Sequence, residues 1–269
     1  MQVVSLSADV IVARSEMWQT TCTIVHRGGT RSGGRTRSGT GECFVVDSPV
    51  FPSELDALPL VLEQAGWTLS GLLCTHADWD HVLGRLAFPD AALGCGETTA
   101  ARLRSEPGDA QRRLREFDEA NYLERPRPLA LGQLQALPVP GKLELGAAEI
   151  ELVPADGHTH DGTALWLDWA RILVCGDYLL PVEIPWLQEH GDRDAYLATL
   201  GRLRPYVERA AWVVPGHGAP LEAERALEIM REDVAYLQAL PAPDAPLPPG
   251  RRTKVQREHH EDNLRRVGR

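Results

Sequence analysis

The chain has no apolar run approaching the roughly 18 residues that a membrane-spanning helix needs. Its first residues show no basic segment followed by an apolar stretch, so no secretion leader is expected. Cysteine is scarce and scattered. Cys22, Cys43, Cys74, Cys95 and Cys175 make an odd number with no C-x-x-C pair, which fits reduced, buried thiols of a cytoplasmic protein better than a disulfide framework. Positive charge is in deficit, 28 Lys and Arg against 38 Asp and Glu, a net −10. Neither nucleic acid nor an anionic membrane surface is therefore an expected partner. Solenoid repeats and low-complexity bias are absent too. What remains is a globular protein of 269 residues, 43% hydrophobic, able to bury a sizeable core and take a small-molecule substrate. Its oligomeric state is open, a homodimer included.

What is present is a succession of β-rich and amphipathic stretches. Val3 to Ala13, Thr20 to His26 and Glu42 to Asp47 read as strands. Residues 27–41, rich in Gly, Ser and Thr with four arginines, read as an overlong solvated hairpin loop. Ser53 reads as the N-cap of a helix through Leu55, Leu58, Val61 and Leu62 that stops at Gly66. Leu69 to Cys74 is the next strand, Val82 to Leu86 opens a helix, and Ala91 to Cys95 is a short strand. Glu97 to Arg125 is helical and charged, broken at Pro107-Gly108, and prolines 126, 128, 138 and 140 mark an irregular connector. Lys142 to Leu145 and Glu149 to Val153 make a hairpin around Gly146; Ala164 to Leu167 and Ile172 to Cys175 make a strand pair. Ala195 to Val207 is an amphipathic helix, Trp212 to Val214 a strand, and Glu222 to Leu240 the last strong helix. This order suggests two similar α/β halves in one layered domain.

The residues able to do chemistry sit where strands end. The apolar run Leu72-Leu73-Cys74 empties into Thr75-His76-Ala77-Asp78-Trp79-Asp80-His81, two histidines and two aspartates in six positions. Three later loops also follow strands and carry His158, Asp177 and His217 at their mouths. Donors at one edge of two packed sheets can converge although far apart in sequence. Neutral imidazole and carboxylate together suit zinc, iron or manganese.

These motifs, with Gly157-His158-Thr159, Gly176-Asp177 and Pro215-Gly216-His217-Gly218 in that order, make the chain resemble the metallo-β-lactamase fold superfamily from Val3 to Leu240. The resemblance implies an α/β (α+β) fold, a four-layer αββα sandwich of two mixed β-sheets, over residues 1–240. Residues 97–128 would be a helical insertion near the active site, and residues 241–269 a proline-rich, then basic, tail. It implies two divalent metal ions, zinc first, with iron or manganese as alternatives. His76, Asp78 and His158 would hold one ion, Asp80, His81 and His217 the other, and Asp177 would bridge them. Asp80 would also orient a metal-bridging hydroxide, which makes it the catalytic residue. The family's usual H-x-H-x-D-H has a second histidine where this chain has Asp78. An added anionic oxygen donor favours a harder metal and lowers its Lewis acidity.

The implied activity is hydrolysis of a thioester, lactone or other carboxylic ester. A phosphodiesterase or nuclease is disfavoured by the acidic charge. A non-haem iron oxidoreductase has only Asp78 in its support. A catalytically degraded binding protein is opposed by the retention of the other six donor positions. Trp18 (with Met17, in the loop from Ser15 to Gln19), His160 and Tyr178 are the candidate substrate contacts. Trp79 reads as a structural buttress, Phe117 and Tyr122 as insertion residues facing the pocket, Cys175 as strand core, and His259 and His260 as solvated.

Overall fold

A computed structural model describes residues 1–30, 36–240, 242 and 245–268. The middle of the arginine-rich hairpin, residues 31–35, lies outside the described residues. Strands β1 (Gln2–Ser7), β2 (Val10–Arg14), β3 (Thr21–Thr30) and β4 (Thr36–Asp47) form an antiparallel meander. Helix α1 (Pro52–Ala65) carries the chain over to β5 (Thr68–Leu73), which runs parallel to β4. The short α2 (Gly84–Ala87) leads to β6 (Leu93–Gly96), and α3 (Glu97–Ser105) and α4 (Asp109–Ala120) lead to β7 (Leu134–Leu137). Both strands add in parallel and complete a seven-stranded sheet. The second sheet begins with the antiparallel strands β8 (Gly141–Leu145), β9 (Ala148–Pro154), β10 (Thr163–Leu167) and β11 (Ile172–Val174). Helix α5 (Arg193–Val207) then crosses to β12 (Trp212–Val214), parallel to β11, and α6 (Ala223–Ala239) and α7 (Lys254–Val267) follow.

Period-two alternation explains why two sheets give three cores. Ile24, Val45 and Leu72 face α1 to α4, while their neighbours Val25, Val46 and Leu73 face the other sheet. In the second sheet Leu152, Leu165, Ile172 and Val214 meet them there, and Val153, Trp166, Leu173 and Val213 turn to α5 and α6. The result is the αββα sandwich, its strands apolar on both faces. Each fully buried side chain of this kind contributes about 1.5–3 kcal/mol. All five cysteines are free and buried, Cys175 within the core under α5 and α6. Among the described residues no helix is long and apolar enough to cross a membrane.

Three local expectations are corrected. The composition of residues 27–41 reads as a loop, yet pairing continues through Gly28–Gly41 to Thr30–Thr36, so most of it is β-ribbon. Ser53 lies inside α1, whose cap position is Phe51. Pro52 occupies the first turn, and Glu54 supplies the capping by accepting from the Phe51 amide at 3.2 Å. Residues 254–267 of the expected tail are a helix, docked through buried Gln256 and Asn263.

Strand direction places the site. β2 and β4 run alongside β5, and β9 and β12 run the same way as β11, so six loops leave at C-terminal strand ends. The sheets are stitched together at that edge. Thr163 N–H donates to the Thr75 carbonyl at 2.8 Å, and Thr21 N–H donates to the Gly216 carbonyl at 2.7 Å.

Candidate metal centre

At this edge the structure gathers all seven donors expected from the sequence. Within each of three triads, His76/Asp78/His158, Asp80/His81/His217 and His76/His81/Asp177, one donor atom per residue lies within 4.8 Å of the others. Asp177 is the hub. Its Oδ1 lies 3.3 Å from His81 Nε2, and its Oδ2 lies 3.4, 3.5 and 3.9 Å from Nε2 of His158, His217 and His76. Asp78 Oδ2 is 3.5 Å from both His76 and His158 Nε2, and Asp80 Oδ2 is 3.5 Å from His217 and 3.8 Å from His81. Bonds of about 2.1 Å around a tetrahedral ion separate neighbouring donors by roughly 3.4 Å, so these spacings suit a divalent metal.

Every imidazole is turned the same way, its other nitrogen set against a neighbouring oxygen. His158 Nδ1 donates to the Trp186 carbonyl at 2.8 Å, and His217 Nδ1 lies 3.1 Å from the Trp18 carbonyl. His76 Nδ1 lies 3.0 Å from Thr75 Oγ1, and His81 Nδ1 lies 3.1 Å from Asp47 Oδ2. Asp47 in turn accepts from the Thr75 amide and hydroxyl at 2.7 and 2.9 Å. These neighbours turn Nε2 of all four rings toward the carboxylates, the arrangement that makes imidazole a metal ligand, with His158 Nε2 also 3.3 Å from the Gln188 amide nitrogen. His76 Nε2, His81 Nε2 and Asp177 Oδ1 are buried with no hydrogen-bond partner, a costly state unless an ion satisfies them. Two glycines permit the approach. A Cβ on Gly216 would sit 2.0 Å from Asp177 Oδ1, and Gly157 (φ 129°) lies against the Tyr196 backbone, letting the His158 loop fold down.

Without metal, the imidazoles and carboxylates hold one another's charge. Burial alone would lower His217, but Asp177, Glu183 and Asp80 facing it overcome that and lift it to about 10. Burial would likewise raise Asp177, yet His217, His81 and His76 hold it well below the usual carboxylate range. The raised His217 stabilises the metal-free fold fully below about pH 6.5, and that contribution is lost as the pH rises toward 10. A neutral, metal-ligating imidazole has no such loss. The Tm gain on metal loading is thus expected to be larger at pH 9 than at pH 6, as paired thermal melts of chelator-treated and reloaded protein would reveal. An equal gain at both pH values would refute this.

Four of the donors, Asp78, Asp80, Asp177 and His217, floor a pocket of about 290 Å³ walled by Trp18, Trp79, Trp186 and His259, with Arg113, Glu183 and Gln188 among its polar residues. Trp18 and Trp79 form one aromatic wall, and buried Phe117 packs behind them instead of facing the pocket as expected, the three centroids 5.0 to 5.6 Å apart. The His259 ring stacks on Trp186 at 4.2 Å on the other. Trp79 is therefore pocket surface as well as buttress, and His259 is wall where the sequence suggests solvent. His260 is tied to the Tyr236 hydroxyl, their atoms 3.0 Å apart. Of the expected substrate contacts, Trp18 lines the pocket. His160 faces His190 outside it, and Tyr178 is buried behind it, its hydroxyl accepting from the His158 amide at 3.1 Å. Tyr122 is 96% exposed and also away from it. Asp47, Arg102, Asp161, Glu183, Trp186 and Gln188 went unnoticed in the sequence. Asp47 had a signal, since it too ends a strand.

Four imidazoles and three carboxylates at one edge of an αββα sandwich define a protein built around a divalent-metal site. A family model described as the metallo-beta-lactamase superfamily matches residues 36–217, which include all seven donors. The chain belongs to the metallo-β-lactamase superfamily. It is 30% identical over 140 residues to a hydroxyacylglutathione hydrolase of Rhodospirillum rubrum, covering 52% of this chain and 44% of that protein. A hydroxyacylglutathione hydrolase of Cereibacter sphaeroides is 34% identical over 143 residues, covering 53% and 45%. The chain thus spans under half the length of these curated relatives. Among solved structures, a metallo-β-lactamase family protein from Thermus thermophilus superposes with a TM-score of 0.66 at 22% identity, covering 98% of this chain and 95% of that one. The DIM-1 metallo-β-lactamase superposes at 0.58 and 17%, covering 86% and 95%. These likenesses show the shared fold.

Proposed function

We propose that the chain is a cytoplasmic metal-dependent hydrolase that holds two divalent ions, zinc first, and cleaves a carboxylic ester, with thioesters foremost. The observation carrying this reading is the convergence of four Nε2 atoms and three carboxylates, all on buried residues, at the foot of a pocket that Asp78, Asp80, Asp177 and His217 line. His76, Asp78 and His158 would hold the first ion, Asp80, His81 and His217 the second, and Asp177 both. Ions bound there would supply Lewis acidity and a water that ionises near neutral pH. Asp80 is the candidate proton acceptor, because its carboxylate edges the pocket beside His217 and His81.

The walls bear on the acyl group. Two aromatic faces suit a flat or apolar substituent. Besides histidines, Arg113 is the one basic side chain among the described lining residues, and it is already 2.8 Å from Asp109. Beyond the ions themselves, a phosphate ester would find no dedicated cationic cradle in these walls. The relatives named hydroxyacylglutathione hydrolase support a thioester as the scissile group.

The test is elemental analysis of chelator-free protein followed by turnover of a thioester, a lactone, a phosphodiester and a β-lactam. Near two metal equivalents with the thioester turned over fastest is the expected result. A preference for the phosphodiester, or protein that stays metal-free in excess Zn²⁺, would overturn the proposal.

A further inference from the structure

Asp78 does not face the centre alone. Arg102, on helix α3 of the insertion, is only 6% exposed, and its Nη2 lies 2.8 Å from Asp78 Oδ1. The same guanidinium reaches Asp161 Oδ1 with Nη1 at 2.9 Å and Glu106 Oε2 with Nε at 3.4 Å. Asp161 closes the circuit by accepting from the Ala77 amide at 2.9 Å. An arginine is seldom buried like this unless its charge is paired, and here the pairing runs directly to a candidate ligand. The other oxygen, Oδ2, is the one within 3.5 Å of His76 and His158 Nε2, and it accepts from Gln188.

We infer that Arg102 is the positioning residue of the first metal site, holding Asp78 by Oδ1 so that Oδ2 alone faces the ion. This rests on the two-metal reading above. Two consequences follow from the geometry. A free carboxylate can chelate an ion through both oxygens, but Oδ1 drawn into the ion pair with Arg102 leaves Asp78 a one-point donor through Oδ2, like the imidazoles beside it. The guanidinium also offsets one of three carboxylate charges in the donor set, so the ion keeps more of its Lewis acidity than three unpaired carboxylates would leave it. The insertion helix thereby becomes part of the metal site without contributing a ligand. Lysine would be a poor substitute, since a single ammonium cannot meet Asp78, Asp161 and Glu106 as the three guanidinium nitrogens do.

A bland alternative is that Arg102 merely staples the loop of Ala77 to that of Asp161. Zn²⁺ titration against a chromophoric chelator, with Co²⁺ absorption as a second readout, separates the two roles. Arg102→Met is expected to weaken the first site about 10–100-fold and leave the second within about threefold. Asp161→Asn, which breaks the staple but leaves the hold on Asp78, is expected to keep both affinities near wild type. Asp78→His in the Arg102→Met background is expected to restore the first site, because an imidazole brings no charge to offset and no second oxygen to restrain. Wild-type affinities in Arg102→Met would overturn the inference. So would equal damage from Arg102→Met and Asp161→Asn, accompanied by equal losses of metal-free Tm. Wild-type protein that binds no metal would instead overturn the two-metal reading itself.

Discussion

Asp177→Ala is expected to strip metal from both positions at once and to lower ester turnover by about 10³-fold. The carboxylate stands 3.3 to 3.9 Å from Nε2 of His81, His158, His217 and His76, so among the described residues it is the carboxylate that meets histidines of both triads. In the two-ion reading, removing it would take a donor from each ion, together with the negative charge that keeps four buried imidazoles together. Lewis-acid stabilisation of a developing charge is worth several kcal/mol, and each 1.36 kcal/mol is a decade in rate. Loss of both ions therefore accounts for roughly three decades without any change in the pocket walls. Asp80→Asn is the instructive contrast: Asp80 touches only the His81 and His217 side, so one equivalent should remain. Metal content measured beside kcat decides the matter. Two equivalents retained in Asp177→Ala would mean that the carboxylate is not the bridge and that the ligand assignment is wrong.

The donors were legible because they are local. Each sits within a few residues of a strand end, and the strand directions that bring them together follow from short connections and parallel crossovers. Asp47 obeys the same rule at the end of β4 and would have been found by applying it one strand further. Arg102 had no comparable signal. It lies mid-helix among other arginines, and only the three-dimensional fold shows that its guanidinium is buried against Asp78 while Arg104 nearby is not. The 27–41 stretch misled for a different reason. Its Gly, Ser and Thr content disfavours any one conformation, and pairing between β3 and β4 overrides that preference. The C-terminal helix escaped because its buried residues, Gln256 and Asn263, are polar, and only Leu264 and Val267 add partly buried apolar contacts, too few for a hydrophobic period.

That polar docking carries the second large effect: Asn263→Leu is expected to lower Tm by roughly 6–12 °C and weaken the first metal position about tenfold. Asn263 is fully buried in α7. Its Oδ1 accepts from the Leu187 amide at 2.8 Å, and its Nδ2 donates to the Pro185 carbonyl at 2.7 Å and the Tyr236 hydroxyl at 3.0 Å. Gln256 accepts from the Ile184 amide at 2.7 Å, and Arg251 donates to the Glu183 carbonyl at 2.9 Å. The side chains of the helix, with Arg251 just before it, thus grip backbone groups of the same segment whose Trp186 carbonyl fixes His158 Nδ1. Leucine keeps the volume but leaves one buried amide and one buried carbonyl without partners, at about 1–3 kcal/mol each, or ~3 kcal/mol together. A domain of this size loses about 2–4 °C per kcal/mol. Glu261→Ala, on the exposed face of the same helix, should stay within about 0.5 kcal/mol of wild type. Thermal unfolding of metal-free and metal-loaded protein tests both parts. If Asn263→Leu loses stability but keeps its first-site affinity, α7 supports the core and has no part in orienting His158. If neither changes, the hydrogen bonds of Asn263 are not what docks the helix.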